Sequence, residues 1–240
     1  MIDTRLNKLN WLPFLCCSWL LYLFFNTKNP INNFFAIQNP IQLDSGQFSD
    51  TFVLLSGPII YCAIAGLIMY LCFKANLEVL ISRISCRTVW LGLGMTVIRI
   101  LLSILGIVFE NIIPTFHSYN LDASLENILP YEIHGYWVQF IRELFTNLGT
   151  QMIILLVFIY LLTRLMSRKS SVGRLVVIYV ITIIISGGLT TTGTDPYLLR
   201  NIFTTGIAEI PMLILYQKSH NVPAVLIANT ICLSILYWFV

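Results

Sequence analysis

A chain of 240 residues with 57% hydrophobic side chains, 10% charged side chains and a mean hydropathy of +0.81 is not an ordinary soluble domain, where about a quarter of residues are charged. The net charge of +3 is small and thinly spread, which argues against nucleic acid as a partner. A hydrocarbon core about 30 Å thick needs roughly 20 apolar residues at 1.5 Å rise, and seven stretches approach or meet that length. The expected fold class is all-α: a polytopic transmembrane helix bundle of about seven spans plus one amphipathic or re-entrant helix, forming a single integral membrane domain over residues 1–240.

In chain order the expected spans are Trp11–Phe25, Phe52–Phe73, Val89–Phe109, Thr150–Met166, Leu175–Leu189, Leu198–Tyr216 and Val222–Phe239. Loop punctuation separates them: Asn-Pro at 29–30 and 39–40, Asn-Ile-Ile-Pro at 111–114, Ser-Arg-Lys-Ser-Ser at 167–171, Asp195-Pro196 and Ser219-His220-Asn221. The first run follows Asp3, Arg5 and Lys8 in the manner of a signal peptide. No small-x-small cleavage pattern follows it, so it reads as a retained span.

Loop charges orient the bundle. Arg5/Lys8, Lys74/Arg83/Arg87, Arg164/Arg168/Lys169/Arg174 and Lys218 alternate with loops in which acids outnumber bases, 26–51, 110–128 and 190–197. By the positive-inside rule the N-terminus is cytoplasmic and Val240 lies outside. The same parity bears on segment 129–148, which is half apolar but carries Glu132, His134, Arg142 and Glu143. Counted as a span, it would put the Arg168-Lys169 loop outside. It is therefore expected as an amphipathic helix lying in or dipping into the outer interface and leading straight into the fourth span, with Tyr131, Tyr136 and Trp137 at home there.

Of the six cysteines, Cys16, Cys17, Cys62, Cys72 and Cys232 lie in apolar stretches, and none pairs with metal-site or redox spacing. They read as reduced, buried small hydrophobes. His117, His134 and His220 are far apart, and His220 falls on the opposite side of the membrane from the other two, so they form no single metal site. HExxH, GxSxG and Walker-type patterns do not occur. Neither metal nor cofactor is expected.

Two charges fall near the middle of expected spans: Arg99 in MTVIRILLS and Glu209 in TTGIAEIPML. A lone charge at that depth costs several kcal/mol and normally turns toward the bundle and a partner. An Arg99–Glu209 pair is the economical expectation, either as a clasp that fixes helix packing or as a coupling or substrate-recognising charge. Pro211 just beyond Glu209 would free a backbone carbonyl and kink that span. The run Ser186-Gly187-Gly188-Leu189-Thr190-Thr191-Thr192-Gly193 offers small residues for close helix approach.

The string Phe203-Thr204-Thr205-Gly206, then Tyr216, then Asn221-Val-Pro-Ala-Val-Leu-Ile-Ala-Asn229 resembles the closing region of the CAAX-protease and bacteriocin-processing (CPBP, or Abi) membrane proteins. The resemblance covers about residues 185–235 and extends faintly over 130–165. It implies an intramembrane site in which glutamates and histidines activate water for peptide-bond hydrolysis. Carried over by position, Arg142-Glu143-Leu-Phe-Thr-Asn147 stands for Glu-Glu-x-x-x-Arg and keeps only Glu143. Ser186-Gly-Gly-Leu-Thr190 stands for Phe-x-x-x-His, with Thr190 at the histidine. The last histidine becomes Ala228 or Asn229. Losing one such proton-handling group lowers a rate by about 10² to 10⁴, and here two are gone.

The function this implies is a non-catalytic, CPBP-like pseudo-protease in a bacterial plasma membrane. It would act as a scaffold that binds another membrane protein or a peptide, in peptide or bacteriocin processing, export or immunity. One alternative is the membrane-spanning subunit of a transporter working with a separate ATPase, with Arg99, Glu209 and the kinked sixth span lining its path. Another is an active intramembrane peptidase built on Glu143.

Overall fold

The computed structural model describes residues 48–73, 80, 84–112, 129–165, 172–190 and 198–239. The expected first span Trp11–Phe25, with Cys16 and Cys17, and His117 lie outside them. Among the described residues the regular elements are helices: α1 (Phe48–Phe73), α2 (Cys86–Ile112), α3 (Leu129–Leu165), α4 (Val172–Thr190), α5 (Leu198–Asn201), a π-helical turn (Ile202–Gly206), α6 (Ile210–Ser219) and α7 (Val222–Phe239). Four of these contain stretches long and apolar enough to cross a bilayer: Leu55–Phe73, Cys86–Gly106, Phe140–Leu165 and Val172–Leu189; α7 supplies a shorter apolar stretch, Val222–Tyr237.

The centre of the bundle is α3. Every residue from Ile153 to Tyr160 is buried, the signature of a helix with protein on all sides. It packs on α1, α4 and α7. On α1 the inward stripe is Tyr61, Ala65, Ile68 and Met69, at the three- and four-residue spacing of one helix face. Phe158 meets Tyr179 of α4 and Tyr216 of α6 edge-on, with ring centroids 5.1 and 6.4 Å apart.

Helix α2 has the reverse polarity of a soluble amphipathic helix. Trp90, Val97, Leu101 and Phe109 face outward, whereas Thr96 and Arg99 are buried. Lipid is as apolar as a leucine core, so the outward face gains nothing by turning in, while the polar face must find partners within the protein. Thr96 Oγ1 donates to the carbonyl of Ala228 on α7 at 3.3 Å, and within its own helix to Gly92 O at 2.9 Å.

Segment 129–148 and the following span form one uninterrupted helix of 37 residues, roughly 55 Å long at 1.5 Å per residue. The apolar stretch begins at Phe140 rather than Thr150. No proline stands inside the helix beyond its first turn to end it. The expected sixth span differs in the other direction. Instead of a helix bent at Pro211, it is α5, the π turn, a short irregular step and then α6. Pro211 sits in the first turn of α6, where its missing N–H is no loss, so the interruption lies before the proline.

Close packing fixes that interruption. A Cβ added at Gly187 of α4 would stand 2.7 Å from the backbone nitrogen of Ile202, and one at Gly206 would stand 2.6 Å from the carbonyl oxygen of Ile183. Each backbone leans on the other through a position where only hydrogen fits. Gly187→Ala is accordingly expected to lower stability by about 1–3 kcal/mol, measured as the thermal midpoint of the purified chain. Gly94→Ala, whose Cβ meets nothing within 4 Å, serves as the tolerated control. Equal melting of the two variants would contradict the packing.

The turn between α6 and α7 is tight. His220 closes α6 in the left-handed region (φ 48°), donating its N–H to Tyr216 O at 2.7 Å, and the side chain of Asn221 accepts from Ala224 N at 2.8 Å to cap α7. Partial burial lowers the pKa of the His220 imidazole below its usual value. The fold therefore binds fewer protons there than the unfolded chain, and stability falls as pH drops through the ordinary histidine range near 6.5. His220→Asn, which suits the left-handed region and does not titrate, is expected to flatten the pH dependence of melting between about pH 7.5 and 5.5. An unchanged slope would assign that dependence elsewhere.

Candidate functional site

Three polar side chains meet beneath the interrupted helix. Glu209 is the residue that opens α6, and its carboxylate makes no cap to its own helix. Instead it reaches Arg99 of α2. Arg99 Nη2 donates to Glu209 Oε1 at 2.5 Å, and Nη1 donates to Oε2 at 3.3 Å. Nη1 also donates to Gln151 Oε1 of α3 at 3.3 Å. All three residues are buried. The bidentate fork is the geometry in which guanidinium and carboxylate cancel one another most fully.

The π turn puts Glu209 there. Ile207 N–H bonds back to Ile202 O, five residues away, which inserts one extra residue into the helix before Glu209. The amide of Glu209 then bonds to Gly206 O at 3.2 Å, a tighter closure than an α-helical one. Gly106 of α2 lets this turn come close: a Cβ there would lie 3.1 Å from Thr204 Cα.

Beside the pair is a cavity of about 240 Å³ between α2, α3, the π turn and α7. Arg99 and Ser103 form its α2 wall, Asn147 its α3 wall, and Thr204, Thr205 and Ala208 the wall next to the break. The α7 wall is Asn229, Cys232, Leu233 and Leu236. Asn229 Nδ2 donates to Asn147 Oδ1 across it. The lining extends from Arg99 toward the C-terminal ends of α2 and α7, where the Phe140 and Tyr237 rings lie 5.2 Å apart.

Of the positions that the sequence picks out, Arg99 and Glu209 touch, and Asn147 and Asn229 touch one helix away. Glu143 is on the same face of α3 as Asn147, one turn nearer the N-terminus. It is exposed and does not line the cavity. Thr190 is the last residue of α4. Ala228 is buried and contributes its carbonyl to Thr96. Among the described residues no group of three or more His, Cys, Asp or Glu side chains is placed to hold a metal ion. Cys62, Cys72, Cys86 and Cys232 are free thiols, and only Cys232 is fully buried.

Sequence reasoning passed over Gln151 and Ser103, and gave Thr205 and Cys232 no part in a site. The signal for the first two was spacing. Gln151 is four residues from Asn147, and Ser103 is four from Arg99, so each continues a polar stripe on an otherwise apolar span.

No protein-family model, curated protein or solved structure matches the chain.

The charge pair tests its own surroundings. Removing one partner leaves a buried uncompensated charge, so Arg99→Met or Glu209→Gln alone is expected to destabilise by about 3–5 kcal/mol. The double variant Arg99→Met/Glu209→Gln should cost clearly less than the sum of the two. Thermal melting of the three purified variants checks this; additive losses would mean that the side chains act independently.

Proposed function

We propose that this chain is a non-catalytic membrane protein, related in plan to the CPBP bundle, whose intramembrane polar cavity binds a partner membrane protein or peptide. The observation that carries the reading is the pairing of Asn147 with Asn229 at one wall of the cavity. Two carboxamides stand where the resemblance asks for an arginine and a histidine. Neither amide takes up a proton near neutral pH, so neither can activate water. The carboxylate nearest the cavity, that of Glu209, is bound to Arg99 through both oxygens. Glu143, the carboxylate that the peptidase reading requires, is not part of the lining. The reading includes seven spans, a cytoplasmic N-terminus and residence in a bacterial plasma membrane, on the strength of the apolar stretches and the alternation of loop charge.

A second reading rests on a different observation. A helix broken by a π turn next to a buried charge pair is the kind of irregular backbone that transporters keep at membrane depth to line a path. On that reading the chain is the membrane subunit of a transporter driven by a separate ATPase.

Purification of the tagged chain from its own host in a mild detergent separates these readings. The scaffold reading expects a second membrane protein at near-equal amount, and the transporter reading expects an ATPase. A chain that, reconstituted alone, cleaves membrane peptides and loses that activity in Glu143→Gln would overturn both.

A further inference from the structure

We propose that the cavity beside Arg99 and Glu209 takes a small, neutral hydrogen-bonding group, a carboxamide or an alcohol on an apolar stem, and excludes carboxylates and phosphates. This rests on the partner-binding reading above and names the chemistry that the partner must present.

Charge decides the sign of the ligand. Arg99 is the cation of the lining, and its charge is already cancelled by the two-point contact with Glu209. An incoming anion would leave the buried site with net negative charge, or would have to displace Glu209 and strand that carboxylate away from water. Either course is strongly unfavourable in a low-dielectric interior. A neutral group meets no such penalty.

Unused hydrogen-bonding capacity decides what kind of neutral group. Arg99 commits three of its five N–H groups to Glu209 and Gln151. Asn229 is 1% exposed, and its carboxamide makes one bond, the one donated to Asn147. Its Oδ1 therefore remains as an acceptor and Asn147 Nδ2 as a donor, with no bond to another described residue. The hydroxyls of Ser103 and Thr205 at the lining are likewise unbonded within the described residues. Donors and acceptors thus face the same space, which suits a group that has both. An ion of either sign would satisfy only one kind.

Size and the far wall complete the description. A volume of about 240 Å³ exceeds the roughly 30 Å³ share of one water molecule and falls short of the approximately 300–1,000 Å³ of pockets for drug-sized ligands. It fits the end of a side chain or a small head group. Leu233, Leu236 and Cys232 form an apolar wall toward α7, matching an alkyl stem.

The cavity carries its own reporter in Cys232. The full-length chain, with Cys16, Cys17, Cys62, Cys72 and Cys86 replaced by serine, is placed in phosphatidylcholine nanodiscs, and Cys232 is labelled with N-ethylmaleimide. Dodecanamide, dodecan-1-ol and dodecanoate are the probes, sharing one chain length. Dodecanamide at about ten times its dissociation constant should slow labelling roughly tenfold, and dodecanoate at the same concentration should leave it unchanged. Thr205→Val keeps the side-chain shape and should weaken the protection, as should Asn229→Leu; a dodecanamide-induced rise in melting temperature of the wild-type chain gives a readout independent of labelling.

Protection by dodecanoate equal to that by dodecanamide overturns the inference, and so does the absence of protection and melting shift with all three probes. Neither result touches the partner-binding reading, which fails separately if the chain purifies from its host alone.

Discussion

The structure turns on one contact, the fork between Arg99 and Glu209. Each ion alone would be driven toward water or toward the headgroups; together they form a neutral unit that a lipid-embedded bundle tolerates. Their meeting ties α2 to the start of α6, and Gln151 joins α3 to the same point. Three helices that have no hydrophobic reason to prefer one another over lipid thereby acquire a fixed register. The small residues around the π turn do the complementary work: they bring backbones close enough for the short charged contact to form.

The π turn links packing to chemistry. Thr205 and Glu209 are four residues apart and would share a face of any α-helix; the residue inserted at the π turn rotates that face by about 100° relative to Leu198–Asn201. Thr205 then lines the cavity, and the carboxylate of Glu209 lies on Arg99 at its edge. Gly187 and Gly206 hold that geometry by exclusion of any Cβ. Scaffold and site are the same residues in this region, so substitutions there report on both at once.

Much of this was legible in the amino-acid sequence, and the reason is the solvent. Lipid makes apolar runs the default, so each polar residue within them stands out. Arg99, Glu209, Asn147 and Asn229 could be singled out on that ground or by resemblance, and the structure draws them around one location. Helix interruptions were harder to read. Pro211 signalled a break, but the break falls several residues earlier because the governing term is the approach of Gly187 to Ile202, a contact between elements that no local pattern encodes. Segment 129–148 does run straight into the following span, as expected, but the start of the apolar stretch at Phe140 rather than Thr150 escaped. Its place in a motif did not decide that Glu143 lies outside the cavity lining.

The length of α3 has a consequence for where this molecule can live. A rigid rod of roughly 55 Å exceeds even the 40–45 Å of a whole leaflet pair with headgroups, so it stands proud of the membrane or leans steeply. Its exposed Trp137 marks the level at which an indole prefers to float. Thickening or thinning the surrounding lipid would therefore change the lean of the central strut, and with it the angle at which α1, α4 and α7 rest against it.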